Sequence, residues 1–533
     1  MNPDSSALAD ELAEAVARDD LGRTGEIVDS HLWSLVQSHW PLLMQALGRL
    51  PDEHVEARPV LALVRGFGSS VFLESGGVNL RAMPVMEGAS ELGVPDQVLD
   101  AILLQQMLAR RLGGDQAGAT AIADQLRVRV ERNDEHGRRP IHDLASFYLL
   151  HVGITEALAG DFEQALRDFA SVRSLRPKTG GELADYDAML KSAVVHAALG
   201  RLVEAERLLR RAVAPSGLGD PFASQLAATE LAARALIAVE RLEPHAAELV
   251  HRALEQNADA EMWPFALLAS IRWSIATGDL VGALDQADAV AATRPDLQDS
   301  LLGRIVATGR AQALAVMGEY GAALKRLDES GLDESGDGRV AAIVRTRLAL
   351  YTTGPEAALT AARRLVVQPG LGPASRAETM LLAAWAQTML LGVPDAATAG
   401  PLGALVAREG LWRVLQLAPE RVVASIPGLD AAPAFERQLM HPDPSASIRL
   451  TANELEVLRQ LAGPESLPAI ATRRFVSLNT VKTQVASIYR RLGVHSRREA
   501  IAEATRRGII SLGGPDSPFP RRSGDSRGEV RGE

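Results

Sequence analysis

The sequence predicts an all-α protein, in which a superhelical array of helical hairpins is followed by a small four-helix unit. Alternating β-branched runs are rare before residue 440, while Ala, Leu and Arg recur at three- and four-residue spacing, as is typical of helices. A glycine-containing element returns about every 40 residues over most of the chain. The region after residue 440 then changes in both composition and charge, which indicates a second kind of domain.

The amino-acid composition already excludes some kinds of functional site. Of 533 residues, 47% are hydrophobic and 23% are charged, which favours large packed cores over disorder. There is no cysteine, so disulfides, thiolate metal sites and cysteine nucleophiles are excluded. The N-terminus is acidic and lacks the pattern of a signal peptide, and the apolar stretch 379–393 is shorter than the roughly 20 residues that span a bilayer. We therefore expect a cytoplasmic protein with no membrane partner.

The charge is distributed unevenly along the chain. The net charge is −11, yet residues 445–512 contain 11 Lys and Arg against 5 Asp and Glu. Residues 1–444 contain 41 basic against 58 acidic residues. An acidic body is thus joined to a compact basic unit, and such a unit is a candidate for contact with a polyanion.

The acidic body is built from a repeated element that begins at a glycine. Copies start at Gly160, Gly200, Glu240, Gly278, Gly318 and Gly354, with weaker copies at Gly114 and Gly392. The six strong copies start 40, 40, 38, 40 and 36 residues apart. A glycine ends a helix at low cost because it adopts a left-handed conformation easily. A small residue five positions later, as in Ala165, Ala205, Ala283 and Ala323, lets two helices approach closely.

One such hairpin cannot bury its own apolar face, whereas a stack of hairpins can. The units resemble tetratricopeptide-type hairpins, with a period of about 40 residues in place of roughly 34. We predict that residues 1–426 form this TPR-like repeat domain. Its surface is expected to serve as a sensor or protein-interaction module for an unknown protein or small-molecule effector.

Residues 35–66 resemble the start of the helical-repeat region of MalT-like regulators, in the spacing LP-E---ARP-L-L-R. Those proteins carry a P-loop ATPase ahead of this point. The sequence contains no G-x-x-x-x-G-K-[ST] motif, which is the loop that would cradle a triphosphate. We therefore carry over no nucleotide binding and expect no cofactor.

A Pro- and Ala-rich linker is predicted over 427–447, followed by a four-helix unit over 448–512 and a disordered tail over 513–533. The helices are predicted over 451–462, about 466–474, 478 to about 492, and 496 to about 508. Thr451 with Glu454 and Ser496 with Glu499 form capping boxes at the first and fourth helices. Ser477 is the predicted N-cap of the third.

The third helix, LNTVKTQVASIYRRL, has an apolar face and a polar face. Its inner stripe is Val481, Val485, Ile488 and Leu492, and the opposite face contains Asn479, Lys482, Thr483, Ala486 and Arg490. Two short helices, a tight turn and a longer helix with a basic outer face are the elements of a helix-turn-helix. The third helix therefore suits the major groove of DNA.

The segment LTANELEVLRQLA…AIA…VSLNTVKTQVASIYRRLGVHSRREAIAEA resembles the LuxR/GerE-type DNA-binding domain over about 60 residues. The resemblance implies a DNA-binding set of Ser477, Asn479, Thr480, Lys482, Thr483, Gln484, Ala486, Arg490 and Arg491. Within it, Lys482, Thr483 and Ala486 are expected at the groove floor. The residues expected near phosphates are Thr480, Gln484, Arg490 and Arg491.

The same resemblance implies a homodimer on double-stranded DNA through the fourth helix, with Ala500, Ile501 and Ala504 at the contact. The alternative is a helix that packs only within its own domain. Two positions depart from the family pattern: Gln484 replaces a usual histidine, and Ala469 beside Pro468 replaces a common glutamate. The second helix is therefore expected to be short or shifted.

The sequence as a whole predicts a sequence-specific transcription regulator rather than an enzyme. The alternative is a helical-repeat interaction scaffold whose C-terminal unit does not bind DNA. No metal site is expected, because His136, His142 and His151 lack the spacing of a zinc helix.

Overall fold

The computed structural model describes the following residues: 3–58, 61, 64–65, 96–135, 142–174, 182–215, 222–256, 261–293, 300–332, 338–429, 452–474, 476–492 and 494–506. Within these ranges the regular elements are helices and there is no β-strand, which confirms the all-α prediction. Most of the predicted linker, the predicted tail, and the capping residue Thr451 lie outside the described residues.

The first four helices form a bundle with a hydrophobic core of its own. Their bounds are α1 (Pro3–Ala17), α2 (Leu21–Ser38), α3 (Trp40–Arg49) and α4 (Asp52–Glu56). Leu12, Val28, Leu35, Leu43 and Leu47 are fully buried in this core. The sequence prediction did not distinguish this bundle from the repeats that follow.

Eight helical hairpins come next, one for each predicted copy of the repeat. The first four are α5 (Asp96–Leu112) with α6 (Gln116–Glu135), α7 (His142–Ala159) with α8 (Phe162–Ser174), α9 (Glu182–Leu199) with α10 (Leu202–Arg211), and α11 (Phe222–Arg241) with α12 (Ala246–Gln256). The other four are α13 (Trp263–Thr277) with α14 (Leu280–Thr293), α15 (Leu301–Val316) with α16 (Tyr320–Glu329), α17 (Arg339–Thr352) with α18 (Pro355–Val366), and α19 (Pro373–Leu391) with α20 (Ala396–Glu409).

The turn inside each hairpin has the left-handed backbone that the repeated glycine predicts. Gly160 and Gly278, for example, have φ of 87° and 82°. The fourth hairpin has Glu240 in place of the glycine, and there the first helix runs on to Arg241. Leu242 then takes the left-handed conformation, with φ of 55°, at a cost of roughly 1 kcal/mol for a non-glycine residue. The four repeat alanines are fully buried, as expected for closely packed helices: Ala165, Ala205, Ala283 and Ala323.

The first helices of distant hairpins also pack against one another across the axis of the superhelix. A Cβ atom added to Gly200, at the end of α9, would lie 2.6 Å from the backbone nitrogen of Ala374 in α19. Arg304 of α15 donates a hydrogen bond to the carbonyl oxygen of Ala159, 145 residues away at the end of α7. Between α7 and α19 the inner face of the array is therefore packed core rather than an open groove.

Arginines complete this inner packing because helix C-termini present carbonyl groups that lack partners within the helix. Both terminal nitrogens of Arg272 donate to the carbonyl oxygen of Ala198, at 3.3 and 3.2 Å. Arg272 also pairs with Glu240, whose side chain is fully buried, at 3.0 Å. Arg413 in the short helix α21 (Trp412–Leu415) joins the same Glu240 oxygen at 2.9 Å. The end of the array, α21 and α22 (Glu420–Val423), is thus held to its middle.

The apolar stretch 379–393 proves to be mainly a buried helix, as predicted. It falls on α19, where Trp385 is fully buried. The polar Gln387 is also buried, and its amide donates to Asp395 at 2.8 Å and accepts from the Asp395 backbone at 3.1 Å. No described helix is long and apolar enough to cross a membrane.

The last four described helices form a compact unit around a hydrophobic core of their own. Their bounds are α23 (Ala452–Ala462), α24 (Leu467–Arg473), α25 (Leu478–Leu492) and α26 (Arg497–Arg506), close to the predicted ranges. The buried face of α23 is formed by Val457, Leu458 and Leu461, and Leu455 is partly buried beside them. Helix α24 is short, as predicted, and Ser466 caps it by accepting from the Ala469 backbone at 3.4 Å.

Candidate nucleic-acid interface

Helix α25 is fixed at its N-terminus and along its inner face. The hydroxyl of Ser477 accepts a hydrogen bond from the Thr480 backbone at 3.1 Å and lies 2.8 Å from the Thr480 hydroxyl. This confirms the predicted N-cap. The buried inner stripe is the predicted set Val481, Val485, Ile488 and Leu492. Because the cap and the stripe fix its start and rotation, the helix presents one definite face outward.

The outward face contains most of the predicted DNA-binding residues. Those exposed to solvent are Ser477, Asn479, Thr480, Lys482, Thr483 and Ala486. Arg490 and Arg491 lie in the last turns of α25, and their side chains are outside the described set. The arrangement brings a cation, hydroxyls and a methyl group together on one surface.

Two polar side chains of α25, Thr483 and Gln484, are only partly available to a binding partner. The Thr483 hydroxyl donates to the Asn479 carbonyl oxygen at 2.9 Å, so it retains a lone pair and a methyl group for a partner. Gln484 is half-buried, and within the described region its side-chain oxygen is buried without a hydrogen-bond partner. Gln484 therefore sits at the edge of the surface, where its amide could donate to a phosphate.

The basic side chains of this unit differ in whether they form ion pairs. Arg459 lies 3.6 Å from Glu456, and Arg473 forms an ion pair with Glu465. Lys482, by contrast, is exposed and forms no ion pair with any residue that the structure describes. Its full charge is available to an anionic partner.

Arg497 has a structural role that the sequence did not reveal. Its side chain donates to three carbonyl oxygens around the end of α23: Leu461 at 2.9 Å, Gly463 at 2.6 Å and Glu465 at 2.7 Å. These groups are left unpaired where a helix ends. Arg497 thereby fastens α26 to the turn that precedes α24.

The serine half of the capping box predicted at the start of α26 is confirmed, whereas the Glu499 carboxylate bonds the backbone of His495, one residue before the predicted N-cap. The Ser496 hydroxyl accepts from the Glu499 backbone at 3.1 Å, and the Glu499 carboxylate accepts from the His495 backbone at 2.9 Å. The hydrogen bond from the His495 backbone, aided by Ser496, lowers the pKa of Glu499. Helix α26 therefore begins at a defined residue.

The three residues expected at the dimer contact, Ala500, Ile501 and Ala504, have packing partners within their own domain. All three are buried in the core of the unit, where they face α23 and α25 rather than solvent. An apolar stripe in the sequence predicts that one face of a helix is buried. It does not predict whether that face packs against its own domain or against a second copy of the chain. The exposed residues of α26 include Arg498 and Ala502, on the opposite side.

Of the three histidines considered as metal ligands, the structure describes the side chain of His151. His151 is buried in α7, and burial, reinforced by Arg111 and Lys191 against Glu261, lowers its pKa to about 3. His151 is thus a neutral core residue near neutral pH. Among the described residues there is no cluster of His, Asp and Glu suited to a metal ion.

A capped, outward-facing helix supported by three others defines a helix-turn-helix domain. Residues 449–504 match the family of bacterial regulatory proteins, luxR family (GerE), and this part of the chain is a domain of that family.

Similar proteins include a probable transcriptional regulatory protein NarL of Mycobacterium tuberculosis (strain ATCC 25618 / H37Rv), 46% identical over 61 residues, which are 11% of this chain and 28% of the relative. The transcriptional regulatory protein YdfI of Bacillus subtilis (strain 168) is 41% identical over 64 residues, 12% and 30% of the two chains. A probable transcriptional regulatory protein SgaR of Hyphomicrobium methylovorum is 38% identical over 101 residues, 18% and 47% of the two chains. The chain therefore matches less than half the length of each relative. No solved structure matches it significantly.

Proposed function

We propose that the protein is a sequence-specific, DNA-binding transcription regulator that acts in the cytoplasm. The observation that carries the proposal is the outward face of α25 in a LuxR-family domain. There Lys482, which has no ion-pair partner in the described part of the chain, lies among exposed polar residues. The three similar proteins named above are all transcriptional regulatory proteins, which supports the proposal.

The first half of α25 would enter the major groove, which is wide enough for a helix. Lys482 can donate to the guanine acceptors or to a phosphate. Thr483 offers an acceptor and a methyl group, and Ala486 offers a methyl group that fits against thymine. Because few of these groups form bidentate hydrogen bonds, DNA shape would supply part of the specificity.

A homodimer on DNA remains part of the proposal, with a changed contact surface. The outer face of α26, with Arg498 and Ala502, is the exposed side of that helix and replaces Ala500, Ile501 and Ala504 as the candidate contact. Two-fold symmetry of the protein would match two related half-sites on the DNA.

The repeat array is proposed as the sensor or protein-interaction module that controls the DNA-binding unit. Its inner face is packed between α7 and α19, so an effector would contact the edges or the outer helices of that part. The effector would be a protein or a small molecule, and the proposal includes no cofactor and no catalysis.

The test is the DNA affinity of the full chain, measured by electrophoretic mobility shift on genomic fragments. Lys482→Ala should weaken binding about tenfold, because a good base or phosphate contact contributes roughly 1–3 kcal/mol. Arg459→Ala is the matched control, since it removes an equal charge from an exposed arginine of α23 that already has an ion-pair partner, Glu456. Equal affinities of wild type and Lys482→Ala would refute the groove assignment. Absence of salt-sensitive binding by the wild type would favour the scaffold alternative.

A further inference from the structure

Two neighbouring arginines at the end of α24 have different partners. Arg473 is exposed and forms an ion pair with the Glu465 carboxylate. Arg474 is half-buried, and its terminal nitrogen donates to the side-chain oxygen of Asn453, on α23, at 3.2 Å. The partner of Arg474 is thus a neutral amide. Arg474 keeps its whole positive charge, whereas the charge of Arg473 is already offset.

The surroundings of Arg474 also restrict the conformations that its side chain can adopt. Part of its guanidinium is buried, and within the described part of the chain its Nε finds no acceptor. Asn453 holds the terminal nitrogen in place from the first turn of α23. A cation that is already positioned loses less side-chain entropy when it meets an anion than a fully mobile one does.

Arg474 lies close in the chain to the proposed DNA-reading helix. It is the C-cap residue of α24 and stands three residues before Ser477, the N-cap of α25. Three residues span at most about 11 Å of chain. When the N-terminal half of α25 enters a groove, the phosphates that flank the groove lie beside this turn.

We propose that Arg474 binds a DNA backbone phosphate at the entrance of the recognition helix, and that Asn453 is its positioning residue. The proposal rests on the proposed DNA-binding function and adds a residue pair that the sequence did not single out. Such a contact fixes the register of the protein on DNA but carries no base preference of its own.

The experiment measures binding of the full chain to two short fluorescein-labelled duplexes by anisotropy over a range of salt concentrations. One duplex is selected from a random pool with the wild-type protein, and the other is unrelated in sequence. Arg474→Ala should weaken binding to both by a similar factor of about ten and lower the salt slope by about one. Arg473→Ala, the matched control, should leave the slope almost unchanged because Arg473 would first have to leave Glu465.

Two further variants keep the test informative if Arg474→Ala disturbs the fold. Arg474→Lys retains the charge and should restore the salt slope. Asn453→Asp supplies a carboxylate that neutralises Arg474, and it should weaken binding more in the wild type than in the Arg474→Ala background.

Equal salt slopes for wild type and Arg474→Ala, or equal losses for Arg473→Ala and Arg474→Ala, would overturn the assignment of Arg474. An Asn453→Asp effect that is the same in both backgrounds would overturn the role of Asn453. If the wild type itself shows no salt-dependent binding, the proposed function fails instead, and the two failures are therefore distinct.

Discussion

Replacing Arg497 by alanine should destabilise the helix-turn-helix unit without changing its outward surface. The side chain makes three hydrogen bonds at 2.6–2.9 Å to the carbonyl oxygens of Leu461, Gly463 and Glu465. Alanine would remove all three, and α26 would lose its attachment to the turn between α23 and α24.

The magnitude follows from the number and kind of these bonds. A hydrogen bond from a charged donor contributes roughly 1.5–3 kcal/mol, but three bonds from one guanidinium are not independent. Water can also reach part of this half-exposed turn. We therefore expect the unit to lose about 3 kcal/mol of stability, which corresponds to roughly a hundredfold change in an opening equilibrium.

Hydrogen exchange of the full chain, followed by mass spectrometry, measures this change locally. Amides of α23 and α25 should exchange roughly a hundredfold faster in Arg497→Ala, while peptides from the repeat array are unaffected. Arg498→Ala is the control, because Arg498 is the adjacent exposed arginine. Equal exchange rates in the two variants, or a change below about threefold, would show that the three bonds do not hold the unit together.

Two further predictions concern the repeat array. Gly200→Ala should lower the unfolding temperature more than Gly392→Ala; both residues have positive φ, but only at Gly200 would the new Cβ atom meet a neighbour, Ala374. If the two variants lowered the unfolding temperature equally, the close packing of Gly200 against Ala374 would be contradicted. Burial raises the pKa of Glu156 to about 7, against the opposing effect of its partner Arg127. Because the folded state holds this proton more tightly, the free energy of unfolding should fall as pH rises from about 5 to 7. Glu156→Gln should reduce that slope in urea titrations but not abolish it, because burial also raises the pKa of Asp168, which pairs with the same arginine. An unchanged slope would refute the prediction.

The sequence predicted the elements of the helix-turn-helix unit well because their signals are local. The bounds of α25 agree with the prediction, since Ser477 caps the helix from within its own first turn and the apolar spacing sets its rotation. The hairpin turns were predictable for the same reason, because a left-handed residue such as Gly160 needs only its own neighbours to end a helix.

The roles of single side chains depended on partners distant in sequence. Ala500 belongs to an apolar stripe that could face either its own domain or a second copy, and only the packing of α26 decides between them. Arg473 and Arg474 are indistinguishable by sequence position, yet Glu465 neutralises one and Asn453 holds the other.

Local signals in the sequence predicted a helical-repeat array followed by a helix-turn-helix domain, because helix periodicity, caps and glycine turns act over a few residues. The tertiary structure alone decided that the inner face of the array is packed, because the groups that close it come from separate hairpins. Arg304 reaches a carbonyl group 145 residues away, and Arg413 reaches Glu240 across 173 residues. No local pattern encodes those distances, and the buried charges require partners that only the folded superhelix brings together.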